Sequence, residues 1–408
     1  MKSPVAITLT ALTAIALVAT LGCQEKESAV FGAVLPLTGA SGIYGEPIKK
    51  GIELAFEQLQ QLPDAPEMGL EIADSQSDPE VGAQALAELY QNGIRAGIGG
   101  VTTPEAHAMI KVADENYRVL LSPSASSEGL PALSRNFYRI WPSDTREGGK
   151  MGQYAAQNLN LESAVILAAE TPYASGIQQV FVESFENSGG AIPEVITYPE
   201  SSTVDDLPAL IERALAHEPQ GLFLADYADG VVSLIQAIRA AGFEGSLLTV
   251  SAFATPQALA AAGAEAEGVL VTHPQYSPDD ENEDIQAFVE AYQAKYGEVP
   301  GIYAAHGYDV MKVLYEALIN GGESGPNFWK GIVSIEEMQG VTGPIQFDDR
   351  GDVQKWPRVY FLKEGKLVDH EMWRQEQIEQ IRKRREELER QQRDLQRRIR
   401  NSGSGGSR

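Results

Sequence analysis

The sequence predicts an α/β protein of two Rossmann-like lobes with parallel sheets, joined by a hinge and followed by a helical C-terminal tail. Three observations predict it. From Ala29 onward short apolar runs alternate with amphipathic stretches, the pattern of strand–helix–strand units with helices on both sheet faces. That rhythm stops around 141–144 and then restarts, which means two such units. The chain has 408 residues, 43% of them hydrophobic, more than one small core holds.

The elements follow in order. Lys2, an apolar small-residue run over 5–21, then Gly22, Cys23 and a polar run over 24–28 read as a cleaved export signal. Cys23 is the only cysteine, so no internal disulfide is possible. The order Leu21-Gly22-Cys23 resembles a bacterial lipoprotein signal, which implies acylation of Cys23 and anchoring to a membrane. Thr20 and Leu21 stand where that pattern prefers a leucine and a small residue. Residues 29–35 are β-like. Residues 46–60 place Ile48, Ile52, Ala55, Phe56 and Leu59 on one helical face. Strands are expected at 70–73, 96–99 and 119–122, with helices at 79–92 and 104–116 between them. After 141–144, strands are expected at 164–168, 194–198, 221–225, 247–250 and 269–271, with a helix at 229–241 among the connections.

The tail differs in kind. Residues 371–408 carry eleven basic and seven acidic residues, whereas the whole chain has a formal charge of −25. Ile381, Leu388 and Leu395 are spaced by seven, with Ile378, Arg385, Gln392 and Ile399 as companions. Two of those four are polar, so the first reading is a solvated helix with charge pairs, and any coiled coil is short and weak. Residues 401–408 have flexible-linker composition.

Composition and motifs exclude several functions. The strong acidity argues against nucleic acid as a partner, since phosphate binding needs a basic surface. The five histidines form no metal-binding spacing, and there is no nucleophile elbow or phosphate loop. No metal and no cofactor is therefore expected, and no enzyme activity. Gly39, Gly42 and Gly45 follow the first strand with a spacing that is not the dinucleotide fingerprint; a turn that brings backbone close to a ligand fits better.

In open parallel sheets ligands bind at the carboxyl ends of strands. Those ends carry hydroxyls and aromatics here. Thr102 and Thr103 follow the third strand, and Ser122, Ser124, Ser126 and Ser127 stand at and after the end of the fourth. Each is suited to capping or turns, and together they suit an anion. Tyr44, Tyr173 and Tyr227 sit on strand-end loops of both lobes, and Asp226 beside Tyr227 is either a solvated loop acid or a partner for a ligand ammonium.

These residues bring a family into view. The run Phe31-Gly-Ala-Val-Leu-Pro-Leu-Thr-Gly39, then Gly45 and Gly51-Ile-Glu-Leu-Ala55, resembles the opening of the branched-chain amino-acid-binding proteins. These are type I periplasmic binding proteins of ABC importers. Asp74 with Ser77-Asp78-Pro79, the loop Val119-Leu-Leu-Ser-Pro-Ser-Ala-Ser126, and Gly343-Pro-Ile-Gln-Phe-Asp348 with Gly351 are similar to its later motifs, the last to a strand leading back to the second lobe. The resemblance runs from about residue 29 to 367. It implies that Thr102 or Thr103, Ser124 and Ser126 hold a ligand α-carboxylate, that Tyr44 stacks on the ligand, and that Tyr173 and Tyr227 close over it. Ser251-Ala252-Phe253 stand where such proteins often place an acid for the ammonium. That leaves Asp226 as a substitute or a ligand without an ammonium; Phe253 suits an apolar or aromatic group, and Trp141 lines the cleft or packs the hinge.

The expected organisation is a signal at 1–22, a tether at 23–28, lobe 1 from 29–143 and 274–343, and lobe 2 from 144–273 and 344–367. A charged helix at 368–400 and a flexible end at 401–408 complete it. The expected function is an extracytoplasmic substrate-binding protein of an ABC importer, in the periplasm or at the cell surface. It would close on an amino acid, amide or aromatic acid and be read by the importer's membrane subunits. The alternative is a ligand sensor or scaffold of the same fold that uses its C-terminal helix for oligomerisation or partner docking.

Overall fold

The computed structural model describes residues 28–321 and 325–403. The expected signal peptide, Cys23 and the tether up to residue 27 lie outside the described residues, as do residues 404–408 of the expected flexible end.

The first sheet contains β1 (Ala29–Leu35), β2 (Met68–Asp74), β3 (Ala96–Gly99), β4 (Val119–Ser122) and β5 (Phe137–Arg139), all parallel, in the order β2-β1-β3-β4-β5. Its connections are α1 (Gly42–Gln60), α2 (Pro79–Gln91) and α3 (Thr103–Glu115). Local chemistry sets their starts. Asp78 caps α2 by accepting from the Glu80 and Val81 N–H groups, with Pro79 at the first helical position. Thr102 and Glu105 form a reciprocal capping box at α3. Helix α1 begins four residues earlier than its apolar periodicity suggests, because Gly39, at φ 83°, turns the chain and Gly45 lets the first turn lie against β1. A Cβ at Gly45 would collide with the Pro36 carbonyl oxygen.

The chain then crosses into α4 (Asp144–Gln157) and a second unit: β6 (Ala164–Ala169), α5 (Pro172–Asn187), β7 (Val195–Tyr198), α6 (Leu207–Leu215), β8 (Gly221–Ala225), α7 (Ala228–Ala240), β9 (Ser246–Val250), α8 (Pro256–Ala262) and β10 (Leu270–His273). From β10 it returns to α9 (Glu283–Tyr296) and α10 (Ile302–Ile319), both of which pack against α1, and to α11 (Trp329–Val333). The segment expected as a strand back to the second lobe instead forms a separate two-stranded hairpin, β11 (Met338–Gly340) with β12 (Gly343–Ile345). The second sheet is completed by β13 (Arg358–Lys363) and β14 (Lys366–Asp369), both antiparallel to their neighbours, so it is parallel only in part: β14-β13-β10-β9-β8-β6-β7. The last element is α12 (His370–Gly403), which continues three residues into the stretch expected to be flexible.

The parallel part of the second sheet, β7-β6-β8-β9-β10, repeats the order of the first. Each lobe therefore has one switch point, between β1 and β3 and between β6 and β8, where the connections leave the sheet in opposite directions and a crevice opens. Arg139, fully buried at the end of β5, ties the crossing segments together. Its guanidinium forms a bidentate pair with Asp352 (2.7 and 3.0 Å) and donates to the Ser127 carbonyl.

Candidate functional site

The loops that leave both switch points face one another across a single cleft. Its lining comes from α1 (Tyr44), the β3–α3 and β4–β5 loops (Thr102, Thr103, Ser124, Ser126), the α5 start (Tyr173), the β8–α7 loop (Tyr227) and the turn after β9 (Ser251). Trp141 and Tyr303 complete the wall. The free volume between these groups is only ≈ 30 Å³, room for about one or two waters. The lobes are drawn together, and aromatic rings fill the centre. Tyr173 stacks on Tyr227 (4.8 Å, 20°), and Trp141 stacks on Tyr303 (4.9 Å, 23°). Tyr44 packs at 4.9 Å from Tyr303.

On the first-lobe side the hydroxyls shape the loops. The Ser122 Oγ donates to the Gly100 carbonyl and accepts from the Ala125 N–H; the Ser124 Oγ donates to the Val101 carbonyl at 2.8 Å. The Thr102 Oγ1 donates to Glu105 at 2.9 Å within the capping box. These side chains hold the α3 N-terminus toward the cleft, where Thr103 and Tyr227 both line it. The Tyr227 hydroxyl is buried and has no hydrogen-bond partner.

Tyr44 bridges the lobes. Its hydroxyl donates to the Ala252 carbonyl (3.2 Å) and accepts from the Ala228 N–H (2.8 Å), and burial pushes its ionisation far up, so it stays neutral. Tyr44→Phe removes both cross-lobe bonds while keeping the ring. At about 0.5–1.5 kcal/mol per bond, the ligand-free chain is expected to spend more time open, read as an increased radius of gyration in solution scattering. An unchanged radius would show that the bridge does not hold the lobes.

Two expected site residues lie outside the lining. The Asp226 carboxylate accepts from the Tyr198 hydroxyl (2.7 Å) and its neighbour's N–H, under a Gly230 whose Cβ would collide with it. These bonds fix the β8–α7 loop, and the carboxylate is not among the groups that line the cleft. Phe253 is fully buried behind the turn after β9 and does not reach the cleft.

Two carboxyls that sequence reasoning did not single out stand behind the lining instead, both on the first turns of α4. Glu147 accepts from Trp141 Nε1 (2.8 Å) with one oxygen and from the Ser251 Oγ (2.5 Å) and N–H with the other. Burial, then the Asp144 charge, push it up to about 8, against the lowering effect of the Ser251 bonds. Asp144 is pushed up to about 6 by burial, opposed by the Ser126 hydrogen bond and Arg139; its Oδ2 is buried without any partner. Glu147 thus stands behind Ser251, at the place where the sequence lacks an acid. Among the described residues no cluster of three His, Cys, Asp or Glu is placed to hold a metal ion, and no helix is long and apolar enough to cross a membrane.

Residues 29–363 match the model of a family described as periplasmic binding protein. The Leu/Ile/Val-binding protein homolog 3 of Brucella melitensis is 23% identical over 88% of this chain and 98% of its own length. A leucine-, isoleucine-, valine-, threonine- and alanine-binding protein of Pseudomonas aeruginosa is 21% identical over 79% and 86%. Among solved structures, a leucine-binding protein of Thermotoga maritima superposes with a TM-score of 0.78 at 24% identity, covering 83% of this chain and 97% of that one. A Rhodopseudomonas palustris solute-binding protein in complex with benzoate superposes at 0.76, with 21% identity over 84% and 95%.

Proposed function

Because the chain belongs to the periplasmic binding protein family, a family of non-catalytic extracytoplasmic binding proteins, we propose that its cleft takes up a small zwitterionic amino acid and delivers it to an ABC importer. The observation that carries the ligand class is the unpartnered Asp144 Oδ2, buried beside a cleft whose lining has no charged side chain. A ligand ammonium supplies the missing partner. The carboxylate end goes to the α3 N-terminus, where Thr102 and Thr103 line the cleft. Relatives named for binding leucine, isoleucine and valine support the class.

Binding is coupled to hinge motion. The cleft holds too little free volume for an amino acid, so entry requires the lobes to part and the tyrosine rings to separate. Each lobe then supplies half of the contacts, and the ligand favours the closed state by its differential affinity. The closed shape is what the importer's membrane subunits read. A second reading, an aromatic acid, draws on the ring collar of Tyr44, Trp141, Tyr173, Tyr227 and Tyr303 and on the benzoate-bound neighbour. From the order Leu21-Gly22-Cys23 we infer that an acyl group on Cys23 holds the mature chain on a membrane, testable by mass spectrometry of the N-terminal peptide and by release of a Cys23→Ser chain.

Thermal unfolding against a panel of amino acids, amides and aromatic acids tests the function. A ligand at about 100 times its dissociation constant adds roughly 2.7 kcal/mol. A shift with aliphatic amino acids supports the proposal; a shift confined to acids without an ammonium selects the second reading, and no shift across the panel sinks both.

A further inference from the structure

The arm formed by α12 has no counterpart in the binding machinery described so far. The family match ends at residue 363, and the Thermotoga structure is covered over 97% of its length while 83% of this chain is used. The helix has 34 residues, about 50 Å.

Its base is fixed to the body. His370 stacks on Trp373 (16° between planes), Trp373 packs on Phe361, Lys150 pairs with Glu371 at 2.8 Å, and Arg374 donates to the Asn158 carbonyl at 2.6 Å. Beyond that base Ile378, Ile381, Leu388 and Leu395 are 63%, 68%, 53% and 59% exposed on one stripe. Four large aliphatic side chains on one exposed stripe go beyond the scattered apolar residues normal for a surface.

We propose that the α12 arms of two copies of this chain pair as a parallel two-stranded coiled coil. With Ile381, Leu388 and Leu395 at the d positions, a parallel pairing sets each against its own counterpart. Arg384 then falls at g and Glu389 at the following e of the partner helix, which gives two complementary Arg–Glu contacts by symmetry. The seam's polar positions are compatible with this. The Arg385 guanidinium is drawn aside by Glu389 of its own helix (3.3 Å), and Gln392 can hydrogen-bond its equivalent. The arm carries a surplus of positive charge, so salt screens repulsion between two arms and leaves the pair intact, whereas it would dissociate an arm from an anionic partner or surface.

The test is sedimentation equilibrium of residues 24–408, which leave out the acylation site Cys23, at micromolar concentration. A dimer mass that persists in high salt is expected, and Leu388→Asp is expected to halve it with the body's melting temperature and ligand response unchanged. Leu395→Cys, in a chain with no other cysteine, is expected to cross-link to a covalent dimer on oxidation. A monomeric mass for the unaltered chain, or a dimer that survives Leu388→Asp, overturns the pairing. Failure of Leu395→Cys to cross-link in a dimeric chain overturns its parallel register. None of these readings depends on ligand, so they stand apart from the proposed function.

Discussion

The unaltered protein is expected to lose stability as pH rises from about 6.5 to 8, and Glu147→Gln is expected to flatten that loss. Glu147 ionises near 4.5 in an unfolded chain and near 8 in the folded one. A group with a raised folded value holds its proton in the folded state while the unfolded state has released it. Its contribution is complete below 4.5 and is lost as pH rises to about 8, at a slope of about 1.4 kcal/mol per pH unit. Asp144 acts in the same sense but only up to about 6. His273 and His306 act in the opposite sense. Burial holds His273 down at about 4 and His306 well below 6.5, so the stability they contribute is present above 6.5 and lost as pH falls. Between 6.5 and 8, Glu147 therefore dominates among these four. Across that window the fall is roughly 2 kcal/mol. Melting temperatures of both chains at a series of pH values check it. Parallel curves for the two chains would remove Glu147 from the account.

Much of this arrangement was legible in the sequence, for reasons that are local. β1, β3, β4 and β8 are continuous apolar runs bounded by turn residues, and period and propensity agree there. The loops after them follow from the strand-end rule, which is why Tyr44, Thr102, Ser124, Tyr173 and Tyr227 stand around one cleft. What was not legible is long-range. β5 is three residues long and ends on a buried arginine whose partner, Asp352, is 213 positions away. β13 and β14 had a local signal in Glu364-Gly365, which turns the chain at φ 52° and 74°, but nothing in the run names β10 as its neighbour. Asp226 was a plausible ammonium partner by position. Only the fold shows Tyr198 donating to it from 28 positions away. Glu147 is one of 57 acidic residues, and nothing near it in sequence announces that Ser251, 104 positions on, will lean on it.

The largest effect on binding is expected from Asp144→Asn. The substitution keeps the size of the side chain and removes the charge. The backbone tie that places it, from the Asp144 N–H to the Ser126 carbonyl at 2.8 Å, is untouched. A hydrogen bond to a charged group contributes about 1.5–3 kcal/mol, so affinity for a zwitterionic amino acid is expected to fall by roughly 10- to 150-fold. An organic acid of the same shape without an ammonium gains nothing from Asp144 and is expected to bind both chains alike. The proton provides an independent reading. In the ligand-free protein Asp144 takes up its proton near pH 6. A ligand ammonium needs the ionised form, so affinity is expected to fall about tenfold per pH unit below 6, and Asp144→Asn removes that dependence. Calorimetric titration of both chains with an amino acid and its deaminated analogue, at pH 7 and pH 5, separates the cases. An amino acid that binds Asp144→Asn as tightly as the unaltered chain would sink the ammonium assignment, and with it the argument that the unpartnered oxygen selects the ligand.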